Sequence, residues 1–137
     1  MKCLFCKIVA GEIASTKVYE EDRVLAFMDI NPVNEGHLLV VPKNHTATTY
    51  EIGPEDLMSV MTVAQKLAKA QSAVLGMPGL NLVQCNGRPA NQVVDHFHVH
   101  LVPRWPEDGW SHWHGSLISG DMEEIKATAE NIKDRLV

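Results

Sequence analysis

The sequence has no apolar run of the roughly 20 residues that a membrane-spanning helix needs. Its first six residues contain too short an apolar stretch for a secretory signal peptide. Basic residues are not in excess either, because the formal net charge is −5. Proteins that bind nucleic acids in general usually show a basic face, so this charge argues against such a partner. We therefore expect a cytoplasmic protein with neither a membrane nor a nucleic-acid partner.

Cysteine is scarce, and the three cysteines do not suggest disulfides. Cys3 and Cys6 are too close for the framework of a small secreted protein, and Cys85 leaves an odd number. Metal binding or reduced thiols fit this pattern better. Internal repeats and low-complexity tracts are also absent from the 137 residues, of which 45% are apolar. This length and composition predict one domain over residues 1–137.

Short β-prone runs account for most of the predicted strands. Residues 17–20 and 23–28 are separated by two acidic residues and predict a hairpin. Residues 37–42 predict a largely buried strand that ends at a proline. Residues 80–85 predict another strand, and the turn-forming residues at 86–91 predict a loop.

Two helices are predicted from capping signals and apolar periodicity. Pro54 and two acidic residues mark the start of the first helix and Gly76 its end, while Asp121 and Glu124 can form a capping box for the second. The apolar residues recur at helical spacing: Leu57, Val60, Met61, Ala64, Leu67, Ala68 and Val74, then Met122, Ile125, Ala129, Ile132 and Leu136. Since strands outnumber helices and the hairpin favours antiparallel pairing, we predict an α+β fold. Its antiparallel sheet would have the helices packed on one face.

The segment His96-Phe97-His98-Val99-His100 alternates histidines with apolar residues. An extended strand would place the three histidines on one face, roughly 6 to 7 Å apart, and the apolar residues on the other face. Imidazoles at this spacing can contact one phosphate or hold one metal ion. Zinc enzymes also use paired histidines on strands. The residues alone therefore leave open a nucleophilic site, a catalytic zinc held by the three histidines, and an exposed polar strand.

With its surroundings, this segment resembles the histidine triad family of nucleotide hydrolases and transferases, whose signature is His-x-His-x-His. Residues 5–8, 25–32, 36–45 and 86–87 also look like family segments in family order, so the resemblance covers residues 3 to 104. The resemblance implies the family fold. Members are usually homodimers, and we expect a homodimer here as well.

The resemblance implies a covalent mechanism. His98 would attack the α-phosphorus of a nucleotide, such as a dinucleoside polyphosphate or a phosphoramidate, and water would hydrolyse the nucleotidyl-imidazole. This role needs one free ring nitrogen and a hydrogen on the other, directed at an acceptor that we expect to be a backbone carbonyl. His100 would stabilise charge on the phosphate oxygens, and His37 would complete the set.

The resemblance also implies residues that bind the nucleotide. Asn86 and Gln92 match positions that contact the phosphate or the leaving group, and Asp29 matches an acid that accepts hydrogen bonds from the ribose. The base would occupy an apolar cleft formed by Phe5, Ile8, Ile13, Phe27 and Ile30. Two simpler interpretations remain open: Asn86 as a turn residue before a glycine, and the cleft residues as ordinary core.

A structural zinc site is implied next to this site. Cys3-x-x-Cys6 has the spacing of half a zinc site, and some family members complete it with two histidines that match His45 and His96. His96 would then be a zinc ligand and not a catalytic acid. The alternative is a pair of reduced core cysteines.

The sequence also departs from the family pattern. Many phosphoramidase members carry a serine shortly after Gln92, but Val93 and Val94 stand here, which weakens the case for phosphoramidates. Transferases of the galactose-1-phosphate type usually have glutamine in place of His100, so hydrolysis is favoured over nucleotidyl transfer. A nucleotide-binding or partner-binding module without turnover is the other alternative. Residues 105–114, rich in tryptophan and histidine, would contact either the substrate or a second subunit.

Overall fold

The computed structural model describes residues 3–109 and 119–136. In chain order the elements are α1 (Leu4–Val9), β1 (Lys17–Glu20), β2 (Val24–Met28), β3 (Leu38–Pro42), α2 (Pro54–Leu75), β4 (Gly79–Val83), β5 (Val99–Arg104) and α3 (Met122–Leu136). One turn of 3-10 helix, Arg88–Ala90, lies in the predicted loop before β5. Among the helices of these described ranges, none is long and apolar enough to cross a membrane.

The five strands form one antiparallel sheet in the order β1-β2-β3-β5-β4. The predicted hairpin is β1 and β2, and the strand predicted at 37–42 is β3 in the centre of the sheet. Every residue of β2 and β3 is buried, because both faces of these strands are covered. The α+β fold with an antiparallel sheet is therefore confirmed. The homodimer and the cytoplasmic location stay predictions.

The two long helices cover one face of the sheet, as predicted. Helix α2 begins at Pro54 and ends where Gly76 adopts a left-handed conformation, with φ of 60°. The Asp121 carboxylate accepts hydrogen bonds from the first backbone amides of α3. Met61 and Met122, predicted on the buried stripes, are each 41% exposed. Met61 lies about 100° around α2 from the buried Val60, which turns its side chain away from the sheet.

A short helix that the sequence did not predict covers the opposite face. Along β2 and β3 the side chains alternate between the two faces of the sheet. Phe5 and Ile8 of α1 pack on those that point away from α2, which are Leu25, Phe27, Leu39 and Val41. Six residues make fewer than two helical turns, so apolar periodicity cannot reveal such a helix. The sheet therefore has α2 and α3 on one face and α1 on the other.

The histidine segment is a strand only in part, which corrects the prediction for residues 96–100. Strand β5 begins at Val99, so His96 and His98 precede it. The Phe97 backbone N–H donates to the carbonyl of Thr46 and not to β3, which explains why the sheet ladder starts later. The prediction that apolar residues and histidines lie on opposite faces still holds for part of the segment. Phe97 and Val99 join the core under α2, whereas His100 pairs with Leu39 on the α1 face.

Candidate active site and metal-binding cluster

The His98 ring is held by a hydrogen bond to the backbone. Its Nδ1 lies 2.6 Å from the carbonyl oxygen of His96. A carbonyl oxygen only accepts, so Nδ1 carries the hydrogen and Nε2 keeps its lone pair. The acceptor that a nucleophilic histidine requires is therefore a backbone carbonyl two residues earlier in the chain.

Apolar and aromatic neighbours surround the His98 ring. The Phe5 ring meets it edge-on at 5.1 Å between centroids, and the His100 ring lies 4.9 Å away on another side. Burial lowers the pKa of His98, although the bond to the His96 carbonyl partly opposes this shift. A neutral imidazole with an unprotonated Nε2 results, which is the nucleophilic form.

A chain of hydrogen bonds fixes the other two rings of the site. The Val33 backbone N–H donates to His37 Nδ1 at 3.0 Å, so the ring hydrogen of neutral His37 is on Nε2. His37 Nε2 in turn lies 3.0 Å from His100 Nδ1 and donates to it. His100 therefore carries its own hydrogen on Nε2. A single backbone amide thus sets the tautomers of two catalytic candidates.

Both of these rings are neutral at physiological pH. Burial, followed by the nearby His98, lowers the pKa of His37 to about 3. Burial together with His98 and His37 lowers the pKa of His100 to about 2. His100 can consequently offer an N–H donor to an anion without a positive charge of its own.

Asp29 lies beside this chain of histidines. Its Oδ1 accepts a hydrogen bond from the Asn31 backbone N–H at 2.8 Å, and its Oδ2 lies 3.5 Å from His37 Nε2. Burial raises the pKa of Asp29 to about 6, against the opposing effect of the Asn31 bond. Asp29, His37 and His100 are close enough to hold a metal ion. However, His37 Nε2 carries a hydrogen while Nδ1 is engaged, so we interpret this group as a hydrogen-bonded network.

The structure brings together three of the five residues predicted to form the base cleft. Phe5, Ile8 and Phe27 are buried in one cluster, where the Phe5 and Phe27 rings pack edge-on at 5.5 Å. Ile13 and Ile30 are 37% and 55% exposed and lie outside that cluster. Phe5 also contacts the His98 ring, so the cluster adjoins the predicted nucleophile.

The Asn86 and Gln92 amides are engaged within the chain. Asn86 Oδ1 accepts from the Thr49 backbone N–H at 2.7 Å. Gln92 is buried, accepts from the Gly87 backbone N–H and donates to the Ala47 carbonyl, both at 2.7 Å. These bonds tie the loop before the histidine segment to residues 47–49. Contact of either amide with a phosphate stays a prediction.

A second cluster, made by Cys3, Cys6, His45 and His96, can hold a metal ion. Its four donor atoms all lie within 4.8 Å of one another. The Nδ1 atoms of His45 and His96 are 3.2 Å apart, and Cys3 Sγ lies 3.3 Å from His96 Nδ1. Cys6 Sγ lies 3.3 Å from His45 Nδ1 and 3.5 Å from His96 Nδ1. A zinc tetrahedron has edges of roughly 3.3 Å between nitrogens and roughly 3.5 Å between nitrogen and sulfur. The donor set therefore fits tetrahedral zinc.

The His96 ring belongs to this cluster, whereas the His96 backbone belongs to the candidate active site. Its Nε2 lies 2.7 Å from the Pro42 carbonyl and carries the ring hydrogen, which leaves the Nδ1 lone pair for a metal. Its own carbonyl holds His98. The ring of His96 is thus directed away from the His98 ring nitrogens, and different functions for the histidines of the triad stay a prediction.

The loop predicted at 105–114 is described only as far as residue 109, and its remaining residues lie outside the described ranges. Asp108 stabilises the described part of this loop. Its carboxylate accepts two hydrogen bonds from the Arg104 guanidinium and one from the Trp105 backbone N–H. Asn34 also donates to Asp108 and to the Pro103 carbonyl, which connects this loop with the turn before His37.

Comparison with known proteins finds a matching family and similar proteins of nearly the same length. A model of the HIT domain family matches residues 10–107. An uncharacterized HIT-like protein of Methanocaldococcus jannaschii is 42% identical over 123 residues, which are 90% of this chain and 95% of that protein. An adenosine 5'-monophosphoramidase of Schizosaccharomyces pombe is 39% identical over 99% of both chains. The crystal structure of a zinc-bound histidine triad family protein from Mycobacterium smegmatis superposes with a TM-score of 0.86, at 32% identity, over 99% of this chain and 94% of that one.

Proposed function

The chain belongs to the histidine triad (HIT) family, and from that premise we propose that it hydrolyses nucleotide derivatives at the α-phosphate through a nucleotidyl-His98 intermediate. The observation that carries this proposal is the 2.6 Å hydrogen bond from His98 Nδ1 to the His96 carbonyl. It leaves Nε2 as the one ring nitrogen of His98 with a lone pair for attack.

Two displacements at phosphorus complete the reaction. In the first, the Nε2 lone pair of His98 forms a bond to the α-phosphorus, and the leaving group departs with the electrons of the broken P–N or P–O bond and takes up a proton. In the second, water attacks the same phosphorus, loses a proton, and returns the P–N electron pair to Nε2. The hydrogen on Nδ1 stays directed at the His96 carbonyl throughout, so the ring begins each cycle in the same tautomer.

His100 and His37 stabilise the charge that builds up on the phosphate oxygens. His37 fixes the hydrogen of His100 on Nε2, where it is a donor to a non-bridging oxygen. A fixed donor of this kind contributes about 3 kcal/mol to the stability of a transition state. Asp29 is the acceptor for the ribose hydroxyls, since its carboxylate is mostly ionised above its pKa of about 6.

The substrate class that we favour is a nucleoside 5'-phosphoramidate. The relatives named adenosine 5'-monophosphoramidase, from three yeasts, support it. Val93 and Val94 provide no hydroxyl to assist a leaving nitrogen. The proton for the leaving amine then comes from water or from the substrate itself, because the neutral His37 and His100 are donors of hydrogen bonds and poor acids.

The Cys3, Cys6, His45 and His96 cluster is proposed as a structural zinc site. Bound zinc would link α1 to the end of β3 and to the histidine segment, and it would supply stability there and no chemistry at phosphorus. The fit of the donor atoms to a tetrahedron and the zinc-bound relative support this assignment.

Turnover in water labelled with 18O tests the proposed reaction. We expect adenosine 5'-phosphoramidate to be hydrolysed with a kcat/KM at least about tenfold above that of diadenosine polyphosphates, with the label in the AMP product. Label in the other product of a polyphosphate would contradict attack at the α-phosphorus. Nucleotide binding without turnover would identify a binding module, and transfer of the nucleotidyl group to added sugar phosphate in preference to water would identify a transferase.

A further inference from the structure

One polar side chain, Gln71, is completely buried on the α2 face of the sheet. It interrupts the apolar surface that α2 packs against β3 and β5. Its Nε2 donates to the carbonyl of Gly36 at 2.9 Å and to the carbonyl of Leu101 at 3.3 Å. Both hydrogens of this amide nitrogen are therefore used, one on the turn that precedes β3 and one on β5.

The two carbonyls lie where the backbone ladder between β3 and β5 ends. The registered pairs of this ladder are Val40–Val99, Leu39–His100 and Leu38–Leu101. At the last of these pairs the Gln71 amide connects Leu101 of β5 with Gly36, two residues before β3 begins.

The same point of the sheet carries the His37–His100 pair on the opposite face. His37 directly follows Gly36, and His100 directly precedes Leu101. Their rings meet through the 3.0 Å hydrogen bond from His37 Nε2 to His100 Nδ1. The separation of the two strands here thus determines whether that bond has good geometry.

The free-energy cost of burying this amide also indicates that it sets the separation of the two backbone segments. Gln71 Oε1 is buried and has no hydrogen-bond partner within residues 3–109 and 119–136. An apolar side chain of similar size would avoid this cost but would leave both carbonyls without the Gln71 donor. What the glutamine adds is a defined distance between the turn at Gly36 and β5.

We propose that Gln71 is a positioning residue for the active site: its amide holds the turn that precedes β3 and the middle of β5 at the separation at which His37 donates to His100. His100 Nε2–H is thereby directed at the substrate phosphate. The direction of His100 Nε2–H towards the phosphate rests on the proposed function. The alignment of His37 with His100 concerns the protein without substrate. Each is tested by its own measurement.

The variant Gln71→Met keeps the length of the side chain and removes both donors, and Gln65→Met on the exposed face of α2 is its matched control. In nitrogen-15 spectra without nucleotide, we expect the His100 Nδ1 signal of Gln71→Met to move from the unprotonated position towards the average of two tautomers. In turnover, we expect kcat to fall about tenfold and KM to change less than about twofold, because alignment and not binding is lost. The control should match the wild-type protein in both measurements.

Wild-type ring signals together with a wild-type kcat in Gln71→Met would overturn the proposal. An absence of turnover in the wild-type protein would refute the proposed function, while the spectra would still decide whether Gln71 aligns the histidine pair. If Gln71→Met does not fold, Gln71→Glu replaces it. Its kcat relative to the wild type should decline as pH rises, since the ionised carboxylate repels both carbonyls; a ratio near one at every pH would overturn the proposal.

Discussion

Replacement of His98 by alanine is expected to lower kcat by at least about 10⁴-fold, because it removes the atom that we propose bonds to phosphorus. Nucleotide affinity should change little, since Asp29 and the apolar cleft around Phe27 remain. The measurement is single-turnover hydrolysis of adenosine 5'-phosphoramidate, combined with the Kd of AMP from calorimetry.

His98 is 5% exposed, so loss of its ring leaves a cavity against Phe5. The variant His98→Asn fills more of this space and serves as the second form if the alanine variant is unstable. A matched control is Val63→Ala, which also leaves a cavity in the core but on the α2 face of the sheet, away from the His98 ring. A kcat near the wild-type value in His98→Asn would refute the covalent mechanism, whatever the stability of the variants.

Loss of the metal site is expected to have the second largest effect. The double variant Cys3→Ser, Cys6→Ser should contain no zinc, whereas the wild-type protein should contain about one zinc ion per chain. Because the site connects α1, the end of β3 and the histidine segment, its loss should cost at least about 3 kcal/mol, which lowers Tm by roughly 10 °C. Elemental analysis and thermal unfolding measure the two quantities.

Cys85→Ala is the matched control, because Cys85 lies outside the cluster and its replacement should leave the zinc content unchanged. Activity distinguishes a structural zinc from the alternative of a catalytic zinc held by the three histidines. A structural zinc predicts reduced but measurable turnover in the double variant at a temperature where it is folded. Full zinc content in the double variant, with loss of turnover on chelation, would establish the alternative.

Much of the fold follows from local signals in the sequence. Helix α2 has its predicted bounds because proline is favoured at the first helical position and glycine at the left-handed C-terminal position. The hairpin of β1 and β2 follows from two β-prone runs separated by acidic residues. Helix α1 was missed because its stability comes from Phe5 and Ile8 packing on the sheet, a tertiary contact that a six-residue pattern does not encode.

The sequence predicts the residue types of the candidate site and a backbone carbonyl as the acceptor for His98, but not which backbone groups form its hydrogen bonds. Spacing and resemblance indicated His37, His98 and His100, and the topology brings them together because β3 and β5 are neighbours. The tautomers depend on the Val33 amide and the His96 carbonyl, and backbone groups are the same at every position of a sequence. Gln71 was missed for a related reason: a glutamine in a helix is usually solvent-exposed, and only the packed sheet shows its two carbonyl partners.

Rapid-quench mass spectrometry of the wild-type protein with adenosine 5'-phosphoramidate detects the proposed nucleotidyl-His98 intermediate itself. We predict a transient increase in the mass of the chain by one adenylyl group, with the modification mapped to the peptide that contains His98 and absent from His98→Asn. The modified chain should decay to AMP at a rate no slower than kcat. Turnover without any adenylylated chain, or an adduct on another residue that decays at that rate, would contradict the mechanism.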